Sequence, residues 1–140
     1  MSATLPIPKN AKIYLDKPYV KVFWDSTNKI LSSQWTGFCE FDEITAVGKR
    51  ILDAVNFEEA KKVLYDARQI EMLDEASKNY ITGNFTRQMI KAGVKYAAAV
   101  FPEDVLAKLS IDHIQEKLDK GTDVNYFNSL SNAFDWLKKK

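Results

Sequence analysis

Between residues 12 and 35, apolar residues come in short runs at 13–15 (IYL), 19–24 (YVKVFW) and 30–35 (ILSSQW). The break at 25–29 (DSTNK) is polar throughout. β-Branched and aromatic runs around such a break predict strands joined by a hairpin, so the chain should open on antiparallel strands. After Gly37 the period lengthens. Phe41, Ile44, Val47, Ile51, Leu52 and Val55 fall on one helical stripe, and Glu40, Asp42 and Glu43 gather where a helix N-terminus favours negative charge.

Residues 62–66 (KVLYD) read as a short buried strand near the sheet centre. Residues 74–92 predict a second long helix, with Ile81, Phe85 and Met89 four apart and Gly93 placed for a left-handed C-terminal residue. Residues 94–101 (VKYAAAVF) are the best central strand, and Ala97, Ala98 and Ala99 mark a place where something packs closely over the sheet. Helical segments at 104–109 and 111–120, an edge strand at 124–127 and a helix at 129–138 carrying Leu130, Phe134 and Leu137 complete the chain. The order β-β-β-α-β-α-β-α-β-α predicts an α/β fold, a mixed sheet with helices packed mainly on one face. Pro6 and Pro8 make residues 1–11 an expected extended arm, which leaves 12–140 as one domain.

Composition narrows the function more than it identifies it. With 46% hydrophobic and 28% charged residues the chain reads as globular. Twenty basic residues against nineteen acidic ones give a net charge of +1, which removes the global electrostatic case for a nucleic-acid partner and leaves only a local basic patch open. Cys39 stands alone, so no internal disulfide and no cysteine-rich metal centre is expected. The sequence has no signal-like leader and no apolar run approaching the roughly 18 residues of a membrane span. The expected location is therefore cytoplasmic.

The chemistry-bearing residues are few. The five glycines are isolated, so no phosphate-cradling loop is present, and neither a metal nor a cofactor is expected. His113 is the only histidine and sits between Ile111 and Ile114 without a nucleophile motif, which favours a structural role. Cys39, near the start of the first long helix, reads as a small buried hydrophobe. No catalytic residue is assigned, and the chain reads as a non-enzyme.

Several pieces in their order resemble the SpoIIAA-like group, the STAS proteins and their relatives known as STAS/SEC14-type domains. They are residues 35–37 (WTG), 63–68 (VLYDAR), 80–81 (YI), 93–98 (GVKYAA), 125–127 (NYF) and 133–137 (AFDWL), so the resemblance runs from about Ile30 to Leu137. It implies a regulatory module that engages a protein partner. Members that antagonise anti-sigma factors bind a kinase, and phosphorylation of a serine in an Asp-Ser-Ser-Gly-like turn switches that binding off. Here the corresponding stretch is 74–77 (DEAS), with Asp74 matching, Glu75 in the acceptor's place and Ser77 as a shifted acceptor.

Asp66 and Arg68 end a central strand, where open α/β sheets commonly bind ligands, although such a pair can equally pin a loop. The partner-binding or switch-like set is therefore Asp66, Arg68, Met72, Asp74, Glu75 and Ser77. The alternative implied by SEC14-type relatives is a small apolar-ligand carrier, its pocket lined by Phe85, Met89, Ala97, Ala98 and Ala99. Homodimerisation through an exposed sheet edge is left open.

Overall fold

The computed structural model describes residues 10–72, 74–102 and 123–140. Most of the predicted arm and the helical segments at 104–120, His113 included, lie outside the described residues. Strands β1 (Lys12–Lys17), β2 (Val20–Asp25) and β3 (Ile30–Phe38) form the predicted antiparallel start. The β2–β3 turn is held by one carboxylate. Asp25 accepts the backbone N–H groups of Thr27 (3.0 Å) and Asn28 (3.2 Å) and the Asn28 side-chain amide (2.8 Å), which is how an acid can be buried there. Lys29, with φ of 57°, closes the turn in the left-handed region.

Helix α1 (Phe41–Glu58) then crosses over so that β4 (Lys62–Met72) pairs parallel with β3. The Glu43 carboxylate accepts the Glu40 N–H at 2.9 Å, so the acids clustered at the helix start satisfy an otherwise unpaired donor there. Strands β5 (Tyr96–Val100) and β6 (Asp123–Phe127) add in parallel, and helix α4 (Leu130–Lys138) ends the chain. The six strands lie side by side in chain order. Both β3 and β4 run past their predicted ends, because irregular pairing at Gln34/Thr36 and Gly37/Phe38 lets them continue along each other beyond the last residue of β5.

Strand alternation sends successive side chains to opposite faces, and both faces are covered. On one, Val22, Trp24, Leu31, Val63 and Ala97 pack against Val47, Ile51 and Val55 of α1 and against Phe85 and Met89. On the other, Phe23, Ile30, Leu64, Ala98 and Val100 meet Ala133 and Leu137 of α4. The described crossover helices thus share one face, and α4 takes the opposite one.

The predicted helix over 74–92 differs in its middle. It comprises α2 (Glu75–Asn79), a π-helical segment (Tyr80–Phe85) and α3 (Thr86–Lys91). In a regular α-helix, residues five apart point about 140° away from each other. The wider π turn brings Tyr80 and Phe85 to the same side, with ring centroids 5.8 Å apart, so both pack on the core. The Thr86 hydroxyl donates to the Ile81 carbonyl at 2.5 Å within the widened turn. Gly93, at φ of 106°, ends α3 as predicted, and the Val94 N–H reaches back to the Met89 carbonyl at 3.1 Å.

Tyr80 lies directly on Gly48 of α1. A Cβ at position 48 would land on the Tyr80 hydroxyl, with ring carbons Cε2 and Cζ at 3.1 Å. Gly48→Ala should therefore lower stability by about 1–3 kcal/mol through overpacking, despite the ~1 kcal/mol that alanine gains in helix propensity. Thermal unfolding checks this, and Gly48→Ala/Tyr80→Phe should recover part of the loss. A single variant more stable than the parent would contradict this packing.

Candidate functional site

The first candidate lies at the C-terminal end of the parallel strands. Asp66 is only 2% exposed, and its carboxylate is gripped by a fork from Arg68: Nε to Oδ1 and Nη2 to Oδ2, both 2.9 Å, with the Arg68 backbone N–H at 3.3 Å. This bidentate geometry is the strong form of the pair. The guanidinium is held above its ordinary pKa by that hydrogen bond, against the opposing effect of burial. Gln34 is level with Asp66 on β3, and its enclosed Nε2 has no hydrogen-bond partner among the described residues. The pair is thus a clasp within one strand, two residues apart.

The second part of the predicted set starts α2. Asp74 is the N-cap, and its carboxylate accepts the Ser77 N–H at 2.7 Å. That bond first, and the adjacent Ser77 side chain second, hold the Asp74 carboxyl below the usual carboxylate range. Glu75 is exposed in the first turn. Ser77 is fully buried, and its Oγ meets the geometry of no hydrogen bond among the described residues. The hydroxyl of the expected shifted phosphoacceptor is thus enclosed in this conformation. Met72 ends β4 opposite Phe38.

Asp66 and the start of α2 do not share a face of the sheet. Asp66 and Arg68 share the sheet face of Leu64, which α4 covers, whereas α2 lies beside α1 on the other face. The sequence places them close together, but β4 runs on with irregular pairing to Met72 before α2 starts beside α1. The predicted apolar pocket divides at β5, where successive side chains alternate faces. Phe85, Met89 and Ala97 are buried in the core under α1, while Ala98 faces α4, and Ala99 returns to the first face. All five are core residues, so the alanines admit close packing on both sides of β5 instead of lining one cavity.

What the sequence reading missed is an open groove of about 550 Å³ between α1 and the π-helical segment. Phe41, Thr45, Lys49 and Asp53 line one wall at four-residue intervals, with Leu52 beside them. Tyr80, Asn84 and Gln88 line the other, again four apart. Phe41 and Tyr80 meet edge to face at 6.3 Å across one end. The intervals are visible in the sequence, but nothing in it says that the two stripes confront each other.

The thiol and several phenols of the described residues are occupied or enclosed. The Cys39 thiol is buried, and burial, then Glu43, pushes its pKa up instead of activating it. Burial raises Tyr80 and pushes Tyr126 up to about 12. Tyr14 is raised by burial and by donating to the Glu58 carboxylate. Among the described residues no cluster of histidine, cysteine, aspartate or glutamate could hold a metal ion, and no helix is long and apolar enough to cross a membrane.

No family model matches the chain, and no curated protein does. Solved structures do. One is an uncharacterised protein of the DUF3478 family from Shewanella loihica PV-4, described as having a SpoIIAA-like fold. It is 16% identical, with a TM-score of 0.55 over 98% of each chain. The architecture is therefore SpoIIAA-like, as the sequence resemblance implies.

Three outcomes test these assignments. Asp66→Asn removes half of a largely buried pair and should cost ~3 kcal/mol in urea unfolding, because the Arg68 charge loses its carboxylate. Asp74→Ala should lower stability at neutral pH through loss of the N-cap bond. The Asp74 pKa is lower in the folded state, so its contribution is complete above the ordinary carboxylate range and disappears as pH falls through the folded value. The difference between parent and variant should accordingly shrink in acid. Cys39 should react with a disulfide reagent only at the rate of unfolding, and rapid labelling of the native chain would contradict its burial.

Proposed function

We propose that this chain is a non-enzymatic binding module that engages a protein partner on the face formed by α1 and the π-helical segment. The groove between those elements carries the reading. It has an apolar floor at Phe41, Leu52 and Tyr80, hydrogen-bonding groups at Thr45, Asn84 and Gln88, and a charged rim at Lys49 and Asp53. An apolar centre within a polar rim is the usual anatomy of a protein interface. Phe41 is 38% exposed, so the aromatic part of this lining is open to a partner.

The partner that fits is a helical ridge. Two helices bounding a trough accept the side chains of a third, and the rim asks for an acid and a base one turn apart. The non-enzymatic part of the reading is supported by Cys39 and Asp66, the two groups best suited to chemistry among the described residues: one is enclosed, and the other is bound by Arg68. The regulatory class implied by the resemblance agrees with a docking face. The apolar-carrier alternative has less support, since its lining residues are buried in packed core and Ala98 belongs to the opposite face.

Filling the trough tests the proposal. Thr45→Arg and Asn84→Arg sit on the groove walls and should change stability by no more than about 0.5 kcal/mol. Immobilised parent chain should retain protein from a native extract, copies of itself included, and both variants should lose it. Retention of the same proteins by parent and variants, or of none by the parent, overturns the assignment.

A further inference from the structure

The outward side of α1 has a pattern that matches its own reverse. Ile44, Val47, Ile51 and Val55 face the sheet, and on the opposite side Lys49 and Asp53 are exposed one turn apart. Among the described residues neither takes part in an ion pair. One turn after Asp53 comes Phe57, which is 71% exposed even with the Lys12 ammonium 4.2 Å from its ring centre. One turn before Lys49 come the small residues Thr45 and Ala46. A large apolar side chain at one end of the ridge is thus balanced by a shallow place at the other, with a base and an acid between.

We propose that the partner is a second copy of this chain, docked antiparallel on α1 about a two-fold axis passing between Lys49 and Asp53. This rests on the module reading, with the α1 wall of that face, Thr45, Lys49 and Asp53, as the part in contact, and it names the partner. A two-fold axis there sets Lys49 against the partner's Asp53 and Asp53 against the partner's Lys49, and it lays Phe57 over the partner's Thr45 and the partner's Ala46. An axis through either charge would oppose two lysines or two aspartates, so the charges select one register. Ridges of residues four apart interdigitate when helices cross at about −50°, which brings the centre of α1 together with its copy. Exposed ion pairs contribute little, about 0.2–1 kcal/mol each, so Lys49 and Asp53 fix the register while Phe57 supplies the apolar contact.

Charge exchange provides the test. Sedimentation velocity at low ionic strength, where exposed charges are least screened, should show the parent chain as a dimer. Lys49→Glu makes the ridge wholly acidic and Asp53→Lys makes it wholly basic, so each should self-associate at least about tenfold more weakly, since like charges then face each other. Circular dichroism confirms that each keeps its fold. An equimolar mixture of the two should form a heterodimer, and Lys49→Glu/Asp53→Lys in one chain should restore the homodimer. A parent that stays monomeric, single variants that dimerise like the parent, or a mixture that stays monomeric each overturns the proposal. If the parent is monomeric while the groove-filling variants still lose a captured protein, the second copy is wrong and the module reading stands.

Discussion

The parallel pairing of β3 with β4 is the constraint on which the other elements depend. It runs from Ile30 opposite Lys62 to Phe38 opposite Met72. Parallel neighbours cannot be joined by a tight turn, so α1 must cross over the sheet, and its apolar stripe then has to cover one face. Once that register is set, Val63 goes under α1 and Leu64 goes under α4. A one-residue slip would exchange the two and place Asp66 in the α1 core. The bidentate clasp between Asp66 and Arg68 spans the point where β4 outruns β5: Asp66 stands opposite Val100, the last residue of β5, and Arg68 lies past it.

Much of this architecture was legible in the residues. The hairpin at Asp25, the stripe of α1, the stop at Gly93 and the strand around the three alanines follow from local rules of period and punctuation. The ends of β3 and β4 were not legible, because their extension comes from mutual pairing and not from β-propensity in QIEM. The π turn was hidden for a related reason. Residues 74–92 have ordinary helical spacing, and only the need to place both Tyr80 and Phe85 on the core explains the widened turn.

The candidate site shows the same division. Asp66, Arg68, Asp74 and Ser77 were recognisable as polar groups at element ends, and they do make specific bonds. What sequence proximity could not convey is that β4 continues irregularly to Met72 and that α2 then starts beside α1, on the other face from Leu64. Ser77 combines two features: its backbone N–H takes the capping bond at the start of α2, and its side chain is buried. The groove was missed because it belongs to two elements. Its width depends on Tyr80 resting on Gly48, a contact between residues far apart in the chain.

The neighbour-by-neighbour order of the strands has a kinetic consequence. Among the described strands, none is inserted between two that come earlier in the chain. Each loop closure therefore joins a new strand to the one just completed, which keeps the entropic cost of every closure modest. The β1–β3 meander can form from contacts close in sequence, and the slower parallel additions follow in the direction in which a ribosome delivers them. Assembly by accretion at a single growing edge leaves one flank, β1, finished early, and keeps the other as the only template awaiting its next strand.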